Sequence, residues 1–301
     1  MKLGVRVAVV GVIFTVILST TVTIQLQSNK RIESLRREAW RDADLSTRAA
    51  NESRGEWVAR AAGCIGCHTD SENDGEMLAG GVGFDTPIGR IISPNITSDH
   101  RYGIGNWTRE QLADALINGR APNGSHYWPA LPYTAYRSMK TQDVVDLHAW
   151  LMASKPIALP DDEHNLWIPD AARHLVGLWK VLYVPAEPLP DVSMPMGQYL
   201  VQILGHCAEC HAQRGIMGGI ANRSLAGNTR GPKGASIPAI TKTALRDWLI
   251  EDIAFYLEIG MTPEGDFAGA HMAPVIEHST SHLAPDEREA IAEYLLSDIN
   301  Q

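Results

Sequence analysis

All four cysteines of the 301-residue chain fall in two short stretches, GCIGCHTD at 63–70 and GHCAECHA at 205–212. In each, two cysteines stand three positions apart and a histidine follows the second: Cys64, Cys67 and His68, then Cys207, Cys210 and His211. Three chemistries use such a pair. A zinc ribbon sets its cysteine pairs about 15–20 residues apart, whereas Cys207 lies 207 − 67 = 140 positions beyond Cys67. A thioredoxin-like dithiol needs one pair and gives the adjacent histidines no role. Covalent attachment of haem c uses all five positions: the thiols add to the porphyrin vinyl groups, and the adjacent imidazole becomes the proximal iron ligand. The pattern predicts two covalently bound haem c groups, with His68 and His211 on the irons.

Two such sites imply two similar units, and the flanking sequence repeats. WTREQLADALINGRAPNG from Trp107 is answered by WLIEDIAFYLEIGMTPEG from Trp248, an offset of 141 that also carries Leu116 to Leu257, Gly119 to Gly260 and Gly124 to Gly265. Apolar residues in both recur at helical spacing, and each helix is expected to end at its glycine. SPNIT (93–97) answers IPAIT (237–241), GEWV from Gly55 answers GQYL from Gly197, and Trp150 in the terminal helical pattern of the first unit maps to Tyr294. Each unit reads as a helix entering the cysteine motif, a long loop, a middle helix, a second loop and a terminal helix. Aromatic and leucine side chains at these positions read as core that closes a dry pocket around the cofactor.

The elements between and before the units are of other kinds. Residues 154–194 are rich in proline and read as an interdomain linker; the patch 166–184 (LWIPDAARHLVGLWKVLYV) is too interrupted to span a membrane and is expected to pack between the units. At the N-terminus, residues 7–26 carry no charge over twenty positions, the length of a membrane-spanning helix. Lys2 and Arg6 precede it, and no small-x-small cleavage site follows. The expectation is an uncleaved membrane anchor, with a signal peptide as the alternative. A formal net charge of −9 gives no basic field for nucleic acid.

The motifs CIGCHTD, GRIISPNITSDHRYGIGNWT, PYTAYRSMKTQD, LGHCAECHAQRGIMGG and EIGMTPEGDFAGAHMAPVIEHSTSHL resemble those of membrane-associated diheme cytochromes c that serve as electron-transfer subunits of periplasmic dehydrogenases. The resemblance covers roughly residues 52–298. It implies an all-α fold of two tandem cytochrome c domains, here placed after one N-terminal transmembrane helix. The expected boundaries are 1–29 for the anchor (or signal), 30–51 for a linker, 52–153 for domain 1, 154–194 for the interdomain linker and 195–301 for domain 2. The implied role is to carry electrons from a periplasmic dehydrogenase subunit to a downstream respiratory acceptor. The implied location is the bacterial inner membrane, with the haem domains in the periplasm.

A methionine sulfur commonly completes an electron-transfer haem. In the second unit Met272, in GAHMAPV, lies in a Gly- and Pro-rich loop before the last helix and is preferred to Met261 and Met217. The first unit departs from this pattern: offsets of 141–144 carry Met272 onto WPAL (128–131), which holds no sulfur. The family resemblance makes Met139, in YRSMKTQD, the candidate. His126, in GSHYW, competes and would give bis-histidine ligation of lower potential, and an open position would be catalytic. The other histidines read as surface or supporting residues. No paired-carboxylate, Ser-His-Asp or phosphate-loop pattern is present, so the chain reads as an electron carrier rather than an enzyme. Two alternatives stay open: a cytochrome c subunit of a terminal oxidase, and a diheme enzyme of the peroxidase or thiosulfate dehydrogenase type.

Overall fold

The structure, a computed structural model, describes residues 49–184 and 193–298 except 216, 221, 230, 232, 233 and 270, together with four positions between 19 and 27. Helices dominate. In chain order they and the strands are α1 (Glu52–Ala61), α2 (Cys64–His68), β1 (Gly83–Thr86), β2 (Gly89–Ile92) and α3 (Arg109–Ala113), which runs into a π-helical stretch, Asp114–Asn118. There follow α4 (Tyr133–Tyr136), α5 (Thr141–Ala153), β3 (Asn165–Leu166) and α6 (Val176–Tyr183). The second half holds α7 (Met196–Tyr199), continued by a π-helical stretch Leu200–Leu204, then α8 (Ala208–His211), α9 (Ile250–Ile259), α10 (Ala273–His278) and α11 (Pro285–Leu295).

Local chemistry sets the ends of these elements. Asn51 caps α1 by accepting from the Arg54 amide, and Thr108 with Gln111 forms a capping box at α3. The middle helices end as expected, at Gly119 (φ +60) and Gly260 (φ +81), both left-handed.

The shared GEWV and GQYL stretches have a steric origin. At Gly55, α1 crosses α5 so closely that a Cβ would overlap the Asp146 carbonyl; at Gly197, α7 crosses α11 so that a Cβ would overlap the Ala290 carbonyl. The first helix of each unit thus meets its terminal helix at a glycine because only hydrogen fits. Gly55→Ala and Gly197→Ala should each destabilise the protein by about 1–3 kcal/mol through forced separation of the helices. Thermal melts of the purified variants measure this, and unchanged midpoints would contradict the crossing.

The expected all-α architecture behind one transmembrane helix requires correction. A three-stranded antiparallel sheet is present in the order β1-β2-β3. β1 and β2 form a hairpin with Thr86 opposite Gly89, closed by the Thr86 hydroxyl donating to the Gly89 carbonyl at 2.6 Å. β3 adds Asn165 and Leu166 from the segment expected to be a plain linker. Its pairing partners are more than seventy positions away in sequence, so no local period announces it. Among the described residues no helix is long and apolar enough to cross a membrane. Most of the uncharged run 7–26 lies outside the described residues.

One apolar core draws on both halves: Val58, Leu112, Met139 and Leu147 share it with Leu200, Leu204, Ile253 and Ile291. The buried Asp143 carboxylate reinforces the junction. It accepts from Arg54 Nε and Nη2 at 3.1 and 3.0 Å, and from the Tyr199 hydroxyl at 2.8 Å. A smaller cluster of Ile91, Trp128 and Val176 seats α6 beside the sheet. The patch 166–184 therefore does pack, against the first unit through Val176 and toward the second through Tyr183, which lies against Gly219.

Candidate functional site

Both Cys-x-x-Cys-His motifs fold as single helical turns, α2 and α8. All four thiols are free, with no disulfide. Burial raises their pKa values, to about 12 for Cys64 and Cys207 and about 11 for Cys67, with Cys210 raised as well. They are therefore held as neutral thiols. His206 Cε1 lies 3.7 Å from where a Cβ on Gly63 would stand, which puts the two motifs side by side. His206, just before Cys207, stacks edge-on against Tyr136 of the first unit with ring centroids 5.5 Å apart.

The histidines are fixed in the same way in both units. His68 Nδ1 lies 2.7 Å from the Pro94 carbonyl oxygen, and His211 Nδ1 lies 2.8 Å from that of Pro238. A carbonyl can only accept, so Nδ1 must carry the proton, and Nε2 is left as a lone-pair donor. Desolvation by burial lowers the pKa of both imidazoles, opposed in each case by the proline carbonyl, and this favours the neutral form that ligates metal. The histidine backbones match too: the His68 carbonyl accepts from the Gly80 amide at 2.8 Å and the His211 carbonyl from the Gly227 amide at 2.7 Å.

Each proline loop is held by a turn that sequence reasoning passed over. Leu78 and Leu225 both have positive φ, 65° and 54°, and their carbonyls accept from Ile96 and Ile240 at 2.9 Å. The signal was available as the repeated tripeptide Leu-Ala-Gly at 78–80 and 225–227.

The candidate sixth ligands are placed unequally. Met139 is fully buried in the core after α4. Met272 is partly buried, packs on the same core and forms the N-cap of α10. His126 turns its ring toward α6: Nδ1 is 3.0 Å from Lys180 Nζ, and Nε2 lies 3.0 Å from where a Cβ on Gly177 would stand. α10 also reaches the first motif, since His278 sits against Gly66 and its Nε2 is 3.5 Å from the Ser71 hydroxyl. Among the described residues no group of three His, Cys, Asp or Glu side chains could hold a metal by itself. The donor set is that of an iron carried in by a porphyrin, with one imidazole per motif. Two buried donors near α4, Trp128 Nε1 and Tyr133 Oη, have no hydrogen-bond partner among the described residues, and a bound carboxylate would satisfy such groups.

Glu209, between the cysteines of the second motif, joins the units further. Its carboxylate accepts from the Thr134 hydroxyl at 2.7 Å and pairs with Arg214 and Arg223 at 2.9 and 3.2 Å. The short helix α4 that precedes Met139 is thereby tied to the second motif.

No family model matches the chain. It is 41% identical over 253 residues to a diheme cytochrome c-type of Cereibacter sphaeroides, a match covering 81% of this chain and 84% of that protein. It is 36% identical over 255 residues to the fructose dehydrogenase cytochrome subunit of Gluconobacter japonicus, and 35% identical over 260 residues to the cytochrome c subunit of alcohol dehydrogenase (quinone) of Gluconobacter oxydans. Each of these two matches covers 81% of this chain, but only 52% and 54% of the relative, so the chain spans about half the length of those subunits. With the doubled cysteine-histidine turn and its proline-held imidazoles, these likenesses show that the chain belongs to the diheme c-type cytochromes.

Proposed function

We propose that the chain carries electrons through two covalently attached haems c, receiving them from a dehydrogenase and delivering them to a respiratory acceptor outside the cytoplasm. Cys64 and Cys67 hold the first haem with His68 as proximal ligand; Cys207 and Cys210 hold the second with His211. Met272 completes the second iron and Met139 the first. The observation that carries this reading is the identical imidazole geometry in both units, with Nδ1 held by a proline carbonyl and Nε2 available.

The bound haems supply an iron that alternates between ferric and ferrous states. The chain supplies the rest. The paired thiols are positioned as thioether anchors, the prolines orient the imidazoles, and Cys64 and Cys207 pack on the common core. Met139 is favoured over His126 because both nitrogens of His126 face α6. Side-by-side motifs support electron exchange between the haems within one chain.

The partner is read from relatives that are cytochrome subunits of dehydrogenases for fructose, alcohol and gluconate. Purification from the native host should bring down a dehydrogenase subunit, and one substrate class among sugars, alcohols and sugar acids should reduce the haems in that preparation. Isolation of fully haem-loaded chain with no dehydrogenase, and no reduction by any of these substrates, would overturn the partner assignment.

A further inference from the structure

The two units make the same backbone contacts after their middle helices, but one face is covered in the first and open in the second. In the first unit the Gly119 carbonyl accepts from the Tyr127 amide at 2.8 Å, and Arg120 bridges His126. In the second the Gly260 carbonyl accepts from the Ala268 amide at 2.7 Å, and Met261 bridges Phe267. Asn118, Gly119 and His126 therefore correspond to Ile259, Gly260 and Phe267.

In the first unit this face is occupied by α6. Lys180 Nζ donates to the carbonyls of Asn118 and Gly119 at 2.5 and 2.8 Å, at the C-terminal end of the middle helix where a cation is favoured. The same ammonium lies over the Tyr133 ring at 4.5 Å, and Gly177 rests against His126. In the second unit the matching residues line an open groove of about 290 Å³. Ile259, Phe267, Ala273 and Ile276 line it with Glu277 and Glu258, the last paired with Arg288 at 2.9 Å. Phe267 is 72% exposed, Ile259 46% and Phe255, one turn before Ile259, 44%.

Charge separates the two faces as sharply. Between Leu249 and Glu277 there are six carboxylates (Glu251, Asp252, Glu258, Glu264, Asp266, Glu277) and no lysine or arginine. The matching stretch of the first unit, 108–136, has two of each sign (Glu110, Asp114, Arg109, Arg120). An apolar groove among these carboxylates, of which Glu258 is already paired with Arg288, is complementary to an amphipathic helix that carries a cation.

We propose that this groove docks an amphipathic helix of a partner protein. The helix lays apolar residues on Ile259, Phe267 and Ile276 and aims a lysine or arginine at the Ile259 and Gly260 carbonyls, as α6 does on the first unit. The groove follows from the protein fold and goes beyond the electron-transfer reading. Docking there places the partner against the loop that bears Met272.

A fluorescent peptide of residues 172–184, whose sequence includes α6, serves as the probe against the intact, haem-loaded protein. Saturable binding is expected, weakened about tenfold by Phe267→Glu in the protein, by glutamine in place of lysine at position 180 of the peptide, or by high salt. Phe267 is exposed, so the substitution leaves folding intact, and an unchanged haem spectrum verifies this without bearing on the groove. Equal binding to wild type and the Phe267→Glu protein would overturn the proposal. So would sedimentation showing a wild-type dimer that Phe267→Glu converts to monomer, since the occupant would then be a second copy of this chain.

Discussion

Replacing Cys207 and Cys210 together by alanine should leave one covalently held haem where the unmodified protein has two. Each attachment consumes two thiols, and the chain has four, all in the two motifs. None is engaged in a disulfide, so no second thiol source could rescue the lost site. Denaturing electrophoresis with haem staining, together with a pyridine haemochrome assay, gives the count. The expected stoichiometry falls from two to one, and the Cys64→Ala, Cys67→Ala pair should give the same fall. Retention of two haems in either double variant would refute the assignment. The folded state should also suffer, because both motifs contact the shared core through Cys64 and Cys207. The haem stays on the unfolded chain, so what is lost is its packing and iron ligation, which form only in the native state.

The sequence made the motifs legible because haem attachment is local: five consecutive positions carry it, and an offset of about 141 exposes the repeat. Helix-ending glycines were legible for the same reason, since a left-handed residue is a property of one position. The proline carbonyls behind His68 and His211 were half legible. SPNIT and IPAIT stood out as a repeat, but their task depends on a turn of 26 or 27 positions that brings a loop over the imidazole. The glycines of GEWV and GQYL were visible as a pattern and explained only by helix crossings with partners some ninety positions away.

The sheet was not legible. Its strands are two to four residues long, Pro87 sits in the hairpin turn, and β3 comes from a proline-rich stretch. A strand of two residues has no measurable alternation. The role of α6 was also hidden, because Lys180 meets Asn118 and His126 through tertiary contact alone. That contact bears on His126, which the sequence offered in GSHYW as a rival ligand to Met139: in the fold its ring lies against α6.

Substituting Met139 and Met272 separates the two irons. A thioether on ferric haem gives a weak charge-transfer band at the red edge of the visible spectrum and raises the potential; bis-histidine or open sites lack that band. Met272→Leu should abolish it for the second haem and lower that haem's potential. Met139→Leu should do the same for the first, and leucine is the appropriate replacement there because Met139 is fully buried. Alanine would add a cavity costing about 2–5 kcal/mol, whereas leucine nearly conserves volume. His126→Ala should leave both spectrum and potentials unchanged, because Nδ1 faces Lys180 and Nε2 faces Gly177. Its cost should instead be felt in stability, as the seat of α6 loses a packed ring. Redox titration followed in the red band reads all three variants. If Met139→Leu leaves the first haem untouched while His126→Ala lowers its potential or alters its band, the ligand assignment of the first unit is wrong. Carbon monoxide gives an independent check. The ferrous protein should bind it slowly or not at all, and each leucine variant should bind it readily at one haem. Ready binding by the unmodified protein would mean that one iron has an open position, and the enzyme reading would then replace simple conduction.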